Sequence, residues 1–158
     1  MLSANELADW ILYASARRGI ADVTNLKLQK LLYYCQAWHL ACTDHELFSD
    51  RIEAWVHGPV VPTVFRRFKE HRWAALPVDM NASIAEYSSV GYPLKAHVGS
   101  VLDAYSHLTG PQLETLTHSE SPWKDARNGL PCDVASNAQI MPENMKTYYR
   151  AKLGNVRQ

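Results

Sequence analysis

One segment in the first third of the chain is apolar around most of its circumference. From Leu28 to Cys42, apolar residues recur three, four and seven positions apart, which is the spacing of one face of an α-helix. Leu26, Tyr34 and Trp38 add apolar surface beyond that face. A helix that is apolar on several sides is normally packed on several sides. The pattern therefore predicts a central core helix over about residues 25–42, which Thr24 or Asn25 caps.

Helical spacing also predicts elements on both sides of the central helix. Ser3 and Glu6 form a capping box for a helix over about residues 4–18, and Gly19 supplies its left-handed stop. Pro62 suits the first turn of the next helix. Further periodic segments predict helices over residues 94–108, with Gly110 as the stop, over 111–117 and over 142–153.

Between the central helix and Pro62 the pattern changes to a strict alternation. Ile52, Ala54 and Val56 are separated by polar or aromatic residues, so residues 51–57 are predicted to form a short strand. The Gly58-Pro59 step that follows forces a corner, because proline pushes the preceding residue out of the helical region. A second short strand is an open alternative for residues 84–87.

Together these elements predict a mainly α fold with a small β part, in the α+β class. We expect about five to six helices around the central helix, with one or two short strands. The 158 residues fit a single domain, since a chain of this size buries roughly 70% of its unfolded surface. A hydrophobic share of 47% and a charged share of 20% are typical of globular proteins.

Charge and cysteine content restrict the classes of partner. Sixteen basic and sixteen acidic side chains cancel, whereas nucleic-acid binders usually carry a basic excess, so nucleic acid is a disfavoured partner. Three cysteines without scaffold spacing fit a reducing compartment, and we expect a cytoplasmic protein. The N-terminus lacks a signal-peptide pattern and no stretch reaches about 18 apolar residues, so no membrane association is expected.

Two constellations have a chemical interpretation and a structural one. Cys35, His39 and Cys42 share one helix face and would offer zinc three ligands, but they continue the apolar stripe, which favours core packing. His118, close to Trp123, would act as a general base or would lock a loop. The chain contains no nucleophile elbow and no phosphate-binding glycine loop, so a structural histidine is favoured. We expect no cofactor and no metal.

Two features point towards protein contacts. A basic run at residues 66–72 and another at 146–157 are either solvated helix faces or surfaces that steer an acidic partner. Residues 55–62 combine aromatic and apolar side chains with a rigid corner. Aromatic residues at such corners are either core residues or anchors for a protein partner. The pattern leaves both interpretations open.

Several motifs in order resemble the Panacea (SocA-like antitoxin) domain family over about residues 5–150. The motifs are Leu28-Gln29-Lys30-Leu31-Leu32-Tyr33-Tyr34, Leu47-Phe48, Ile52-Glu53-Ala54-Trp55 with Gly58-Pro59-Val60-Val61-Pro62, Leu116-Thr117-His118, Pro122-Trp123, and Ile140 with Pro142-Glu143. The resemblance implies a single domain over residues 1–158, with a core at about 5–153. It also implies structural roles for the following residues: Leu28, Lys30, Leu31, Tyr33, Thr117, His118, Pro122 and Trp123.

The resemblance implies an antitoxin, not an enzyme, that neutralises a cognate toxin by direct contact. One branch of the family is similar to a proteolytic adaptor that delivers its toxin to a Clp-type AAA+ protease, and other members are phage-associated. The alternatives from other classes are a metal- or histidine-dependent enzyme and a DNA-binding regulator of a mobile element. We expect the protein-binding surface to comprise the following residues: Trp55, His57, Gly58, Pro59, Val60, Val61, Arg66 and Arg67.

Overall fold

The structure, a computed structural model, describes residues 2–81 and 91–157. Its elements follow one another in this order: α1 (Ala4–Arg17), α2 (Asn25–Thr43), β1 (Glu53–Trp55), β2 (Gly58–Val60), α3 (Pro62–Phe68), a 3₁₀ turn (Lys69–His71), α4 (Tyr92–Tyr105), α5 (Gly110–His118), α6 (Ser121–Arg127) and α7 (Pro142–Arg157). The predicted fold class, mainly α with a small β part, is confirmed.

Helix α2 is the centre of the fold, as its apolar pattern predicts. The helix begins after Thr24, whose hydroxyl accepts a hydrogen bond from the backbone N–H of Lys27, and ends where Asp44 turns into the left-handed conformation. Fourteen of its 19 residues are buried, so it is packed on several sides. Helices α1, α3, α4, α5 and α7 and strand β2 all contact it.

The two strands form an antiparallel hairpin beside α2. Glu53 pairs with Val60 and Trp55 pairs with Gly58, so Val56 and His57 form the turn. The predicted strand over residues 51–57 is thus shorter than expected, and the predicted corner at Gly58-Pro59 is itself the start of a second strand. Gly58 adopts φ +104°, which lets the chain reverse at once. The alternative strand over residues 84–87 lies outside the described residues.

Two helix boundaries differ from the predictions. Helix α4 ends at Tyr105, and Gly110 is not its stop but the first residue of α5. Thr109 and Gln112 form a complete capping box at the start of α5, and this box fixes where the helix begins. Helix α6 was not predicted, although Pro122 stands in its first turn, where proline is favourable.

The core runs along α2 and joins residues from nearly every element. Leu7 and Ile11 of α1, Val98 of α4 and Leu113 of α5 are fully buried with the α2 leucines in one apolar cluster. In the part of the chain that the structure describes, no helix is both long enough and apolar enough to cross a membrane.

Candidate functional site

An open pocket of about 800 Å³ lies beside the β1–β2 hairpin, and we call it the hairpin groove. Its walls come from the first turns of α2, the hairpin, the end of α3 with the chain after it, and residues 135–137. The lining is mainly apolar and aromatic, with Leu26, Trp55, Val60, Phe65 and Trp73 contributing. Pockets of this volume with such a lining are typical of binding sites.

Aromatic side chains form the most distinctive wall of the hairpin groove. The rings of Trp55 and Phe65 meet edge to face, with centroids 5.0 Å apart. The Trp55 indole N–H donates a hydrogen bond to Glu53 Oε1 at 2.9 Å, which fixes the ring. Trp73 is 74% exposed. A tryptophan so exposed at a pocket mouth is typical of an interaction surface.

Side-chain amides hold the floor of the hairpin groove together. Gln29 Oε1 accepts a hydrogen bond from the Val61 N–H at 2.9 Å, and Gln29 Nε2 donates to Asn25 Oδ1 at 2.9 Å. Asn25 Nδ2 in turn donates to the Phe65 carbonyl at 3.1 Å. These bonds tie both the hairpin and α3 to α2, so the floor is a fixed platform.

The Gly58 corner rests directly on the side chain of Lys30. Lys30 is fully buried, and its ammonium donates a hydrogen bond to the Pro59 carbonyl at 3.0 Å. Burial lowers the pKa of Lys30 to about 7, while the Glu114 carboxylate acts in the opposite direction. A Cβ at position 58 would lie 2.7 Å from Lys30 Cε and 2.9 Å from Thr117 Oγ1. Glycine is therefore required for sterics as well as for φ.

A stack of three side chains supports the hairpin from behind. The His118 and Trp123 rings are stacked with centroids 4.0 Å apart, and the Arg127 guanidinium lies 4.8 Å from the Trp123 centroid. Trp123 Nε1 donates to the Trp55 carbonyl at 2.8 Å, and Arg127 donates to the Ala54 carbonyl at 2.9 Å. Burial lowers the pKa of His118, which also bonds to the Val56 backbone.

Arg127 also fixes the loop that forms the far wall of the hairpin groove. Its guanidinium donates to the Pro131 carbonyl at 2.9 Å and to the Val134 carbonyl. The same buried side chain thus connects β1 to the chain just before residues 135–137. A guanidinium that bonds to several carbonyls in this way sets the position of a loop with little freedom.

The residues predicted to contact a partner fall into two groups by exposure. Gly58, Pro59, Val60 and Val61 are buried, while Trp55 is half-buried and His57 is exposed. His57 Nδ1 lies 3.0 Å from Glu114 Oε1.

The two arginines of the predicted surface are both exposed, and they differ in whether they form an ion pair. Arg66 is exposed, whereas the Arg67 guanidinium is paired with Asp9 of α1 at 2.5 Å. Neither arginine lines the hairpin groove.

The sequence did not single out Phe65, beyond its place in a helix face, or Trp73. An isolated tryptophan after a basic run carries no pattern that reveals its exposure. Both side chains line the hairpin groove because the end of α3 and the chain after it fold back towards the hairpin.

The face of α2 with Cys35, His39 and Cys42 does not gather these side chains at one point. Cys35 is buried and Cys42 is exposed. His39 Nδ1 lies 2.7 Å from the His45 carbonyl oxygen and bonds to it. Within residues 2–81 and 91–157, no group of three or more His, Cys, Asp or Glu side chains is arranged to hold a metal ion.

A buried polar cluster lies one turn further along α2, towards its C-terminal end, and connects it to α7. Tyr34 and Tyr149 each donate a hydroxyl hydrogen bond to Glu120 Oε1, at 2.6 and 3.0 Å, and the Tyr149 and Tyr33 hydroxyls are 3.2 Å apart. The Lys152 ammonium pairs with Glu120 Oε2 at 2.9 Å. Burial raises the pKa values of the three tyrosine hydroxyls. We call this set of five residues the tyrosine–glutamate cluster.

Comparisons with known proteins agree with the motifs found in the sequence. The family model described as "Antitoxin SocA-like, Panacea domain" matches residues 28–124. The chain is 27% identical over 157 residues to "Antitoxin SocA" of Caulobacter vibrioides (strain NA1000 / CB15N), an alignment that covers 94% of this chain and 83% of the relative. No solved structure matches. Because the family model covers more than half of the chain, the protein belongs to the SocA-like antitoxin family with a Panacea domain.

Proposed function

We propose that this protein is an antitoxin that neutralises a cognate toxin by direct binding, and that the hairpin groove is its contact surface. The observation that carries the proposal is an accessible aromatic pocket on a rigid platform in a chain of an antitoxin family. Binding of this kind requires no catalytic step, and we propose a non-enzymatic role.

The division between supporting and exposed residues favours the hairpin groove over the rest of the surface. Lys30, Gly58, Thr117 and Trp123 belong to the family-like motifs, and they are buried beneath or behind the hairpin. Phe65 and Trp73 face the hairpin groove and lie outside those motifs. A scaffold that is built in this way holds a contact surface in which Phe65 and Trp73, at least, are free to suit one partner.

The predicted partner surface is accordingly revised in our proposal. Trp55 and His57 remain contact residues because both line the hairpin groove. Gly58, Pro59 and Val61 shape the corner from the interior, and Val60 contributes to the groove wall although it is almost fully buried. Arg66 lies on the exposed side of α3 and assists at the edge, and Arg67 anchors α3 to α1.

A co-expression assay tests the proposed function. The open reading frame next to this gene is expressed alone and together with this protein, and growth and co-purification are measured. We expect toxicity that co-expression relieves, with the two proteins in one complex. A Trp55→Ala and Trp73→Ala double variant should lose rescue, and Tyr92→Ala is the matched control, since Tyr92 is 81% exposed and does not line the hairpin groove. Rescue by the double variant would place the contact elsewhere.

Delivery of the toxin to a Clp-type AAA+ protease is a finer form of the same proposal. Its support is the resemblance to the adaptor branch of the family. It is tested by measuring how fast the toxin is degraded. A pulse-chase measurement of the toxin, with and without this protein and in cells that lack the protease, gives the toxin half-life. We expect the toxin half-life to shorten only when both this protein and the protease are present. A half-life that does not respond to either would leave neutralisation by binding alone.

A further inference from the structure

We propose that the hairpin groove selects a partner segment in which a bulky apolar side chain is flanked by carboxylates. This inference rests on the proposed function, because it takes the segment to belong to the toxin. It adds the chemistry of the segment, which follows from the shape and charges of the pocket.

The demand for a bulky apolar side chain comes from the exposed aromatic lining. Trp73 is 74% exposed, and the Trp55–Phe65 pair and Leu26 border the same space. A pocket of about 800 Å³ has room for a large side chain and its neighbours. Aromatic side chains that enclose a pocket are where binding energy usually concentrates, because an inserted side chain loses its contact with water there.

The demand for carboxylates comes from cations that form no ion pair with the residues that the structure describes. Lys69 and Arg72 line the hairpin groove and Arg66 lies nearby on α3, and none of the three forms an ion pair with a described carboxylate. Among the described lining residues the one carboxylate, Glu53, already has partners, since Arg51 pairs with it at 3.0 Å and Trp55 donates to it. The rim is therefore cationic, and opposite charge on the partner is the complementary choice.

The backbone groups of the hairpin are already bonded along both of its edges, so a partner strand cannot readily pair with it. Recognition of a partner must therefore depend on side chains. On its outer side β1 faces residues 138–140, with Ala54 N–H donating to the Ala138 carbonyl at 2.8 Å. On the other side, the Pro59 carbonyl and the Val61 N–H are bonded to Lys30 and Gln29 of α2. A bound segment would thus be chosen by its side chains and not by its backbone.

A protein segment fits the hairpin groove better than nucleic acid. The floor amides of Asn25 and Gln29, which could otherwise read base edges, are already bonded to each other and to backbone groups. The chain as a whole has no net charge, whereas nucleic-acid surfaces need a long basic track. A local basic rim beside an apolar pocket matches a short acidic and apolar peptide.

A random peptide display library, selected on the immobilised protein, tests the inference. We expect enriched peptides to combine Trp, Phe, Leu or Met with neighbouring Asp or Glu. Trp73→Ala should weaken their binding by about ten-fold or more, as loss of an aromatic anchor does. Selection on a Lys69→Glu and Arg72→Glu double variant should remove the acidic bias. The matched controls are Tyr92→Ala and Lys124→Glu, which change an exposed aromatic residue and an exposed cation outside the groove.

The possible outcomes separate the inference from the proposed function. Absence of enriched peptides, enrichment without acidic residues, or binding that ignores both groove variants would overturn the inference. Groove-dependent binding of a fluorescent single-stranded oligonucleotide that is stronger than binding of the peptides would overturn it in favour of nucleic acid. Peptide selection uses this protein alone, so it can succeed when no toxin is found in the growth assay. If growth is rescued but the selected peptides show no acidic and apolar bias, the proposed antitoxin function stands and the proposed chemistry of the bound segment is overturned.

Discussion

Two regions along α2, the hairpin groove at its first turns and the tyrosine–glutamate cluster one turn later, differ in what their polar groups do. On the side of α7, the tyrosine–glutamate cluster places a carboxylate that is 2% exposed among two tyrosine hydroxyls and an ammonium, and each of these groups has a partner. At the hairpin groove, the floor is equally well bonded, but the rim keeps an exposed tryptophan and cations that form no ion pair within the described part of the chain. The tyrosine–glutamate cluster is covered by α7, whereas the hairpin groove is open.

This difference leads us to assign stability to one region and to propose the other for binding. A buried carboxylate with satisfied bonds fixes one arrangement of α2 and α7, since breaking such a network leaves an uncompensated charge. Exposed aromatic and cationic side chains contribute little to the stability of the fold, and they contribute binding energy when a partner covers them. Substitutions in the tyrosine–glutamate cluster and in the hairpin groove should therefore separate effects on stability from effects on binding.

Two tryptophans give the largest expected contrast in stability. Trp123 is buried, stacks on His118 and bonds to the Trp55 carbonyl, so Trp123→Ala should cost about 4 kcal/mol in free energy of unfolding. Trp73→Ala should change it by no more than about 0.5 kcal/mol, because Trp73 is exposed. Urea unfolding of both variants provides the measurement. Equal losses would mean that Trp73 is part of the core and not of a binding surface.

Two glycines test whether the corner depends on steric fit as well as on φ. Gly58→Ala should lower the free energy of unfolding by about 3 kcal/mol, because strain at positive φ adds to the close approach to Lys30 and Thr117. Gly129→Ala is the control, since Gly129 also has positive φ but nothing lies within 4 Å of its Cβ position. Strain alone should cost it about 1 kcal/mol. Similar melting temperatures for the two variants would show that the contact with Lys30 is relieved cheaply.

Removing the negative charge of Glu120 tests how much the tyrosine–glutamate cluster contributes to stability. Glu120→Gln keeps the shape and one acceptor but loses the ion pair with Lys152, and we expect a loss of about 2 kcal/mol. Binding to peptides or to a partner should not change, because Glu120 does not line the hairpin groove. Thermal unfolding and peptide binding are measured side by side. A binding defect in a folded variant would show that the tyrosine–glutamate cluster and the hairpin groove are coupled, and would weaken the contrast between them.

The buried lysine beneath the corner predicts a pH dependence of stability. The pKa of Lys30 is about 7 in the folded protein and 10.5 in a solvated chain, because burial disfavours the ammonium. Between these values the unfolded chain holds a proton that the folded protein has lost, so the free energy of unfolding rises with pH from 7 to 10.5. Burial of this group destabilises the fold fully below pH 7, and that penalty disappears as the pH reaches 10.5.

The matched variant for this effect is Lys30→Met, which removes the titrating group. Urea unfolding gives the free energy of unfolding of both proteins at about pH 7 and about pH 9. Between these pH values it should increase more for the wild type than for the variant, by about 2 kcal/mol. Comparing the pH increments cancels the constant cost of the lost bond to Pro59. Identical increments would mean that Lys30 keeps its proton, and hence that water reaches the base of the hairpin groove.

Much of the fold follows from local patterns in the sequence. The apolar circumference of residues 26–42 predicted the central helix, and Thr24, Ser3 and Pro62 marked helix starts that the structure has. The errors lie where local signals compete. Gly110 was taken for a helix stop, but the Thr109 capping box starts a helix there. The Gly58-Pro59 corner begins strand β2, which pairs with β1 and bonds to Lys30 of α2, and Lys30 is distant from it in the chain.

The sequence by itself determined the helical class, the central helix and the family, because periodicity, capping and ordered motifs depend on residues that are near one another in the chain. Only the tertiary structure decided that Trp123 is buried while Trp73 is exposed, and that Lys30 lies beneath Gly58. It also assembled the hairpin groove, whose lining comes from positions between 25 and 137. Exposure and proximity depend on how distant segments pack, and no local pattern encodes that packing.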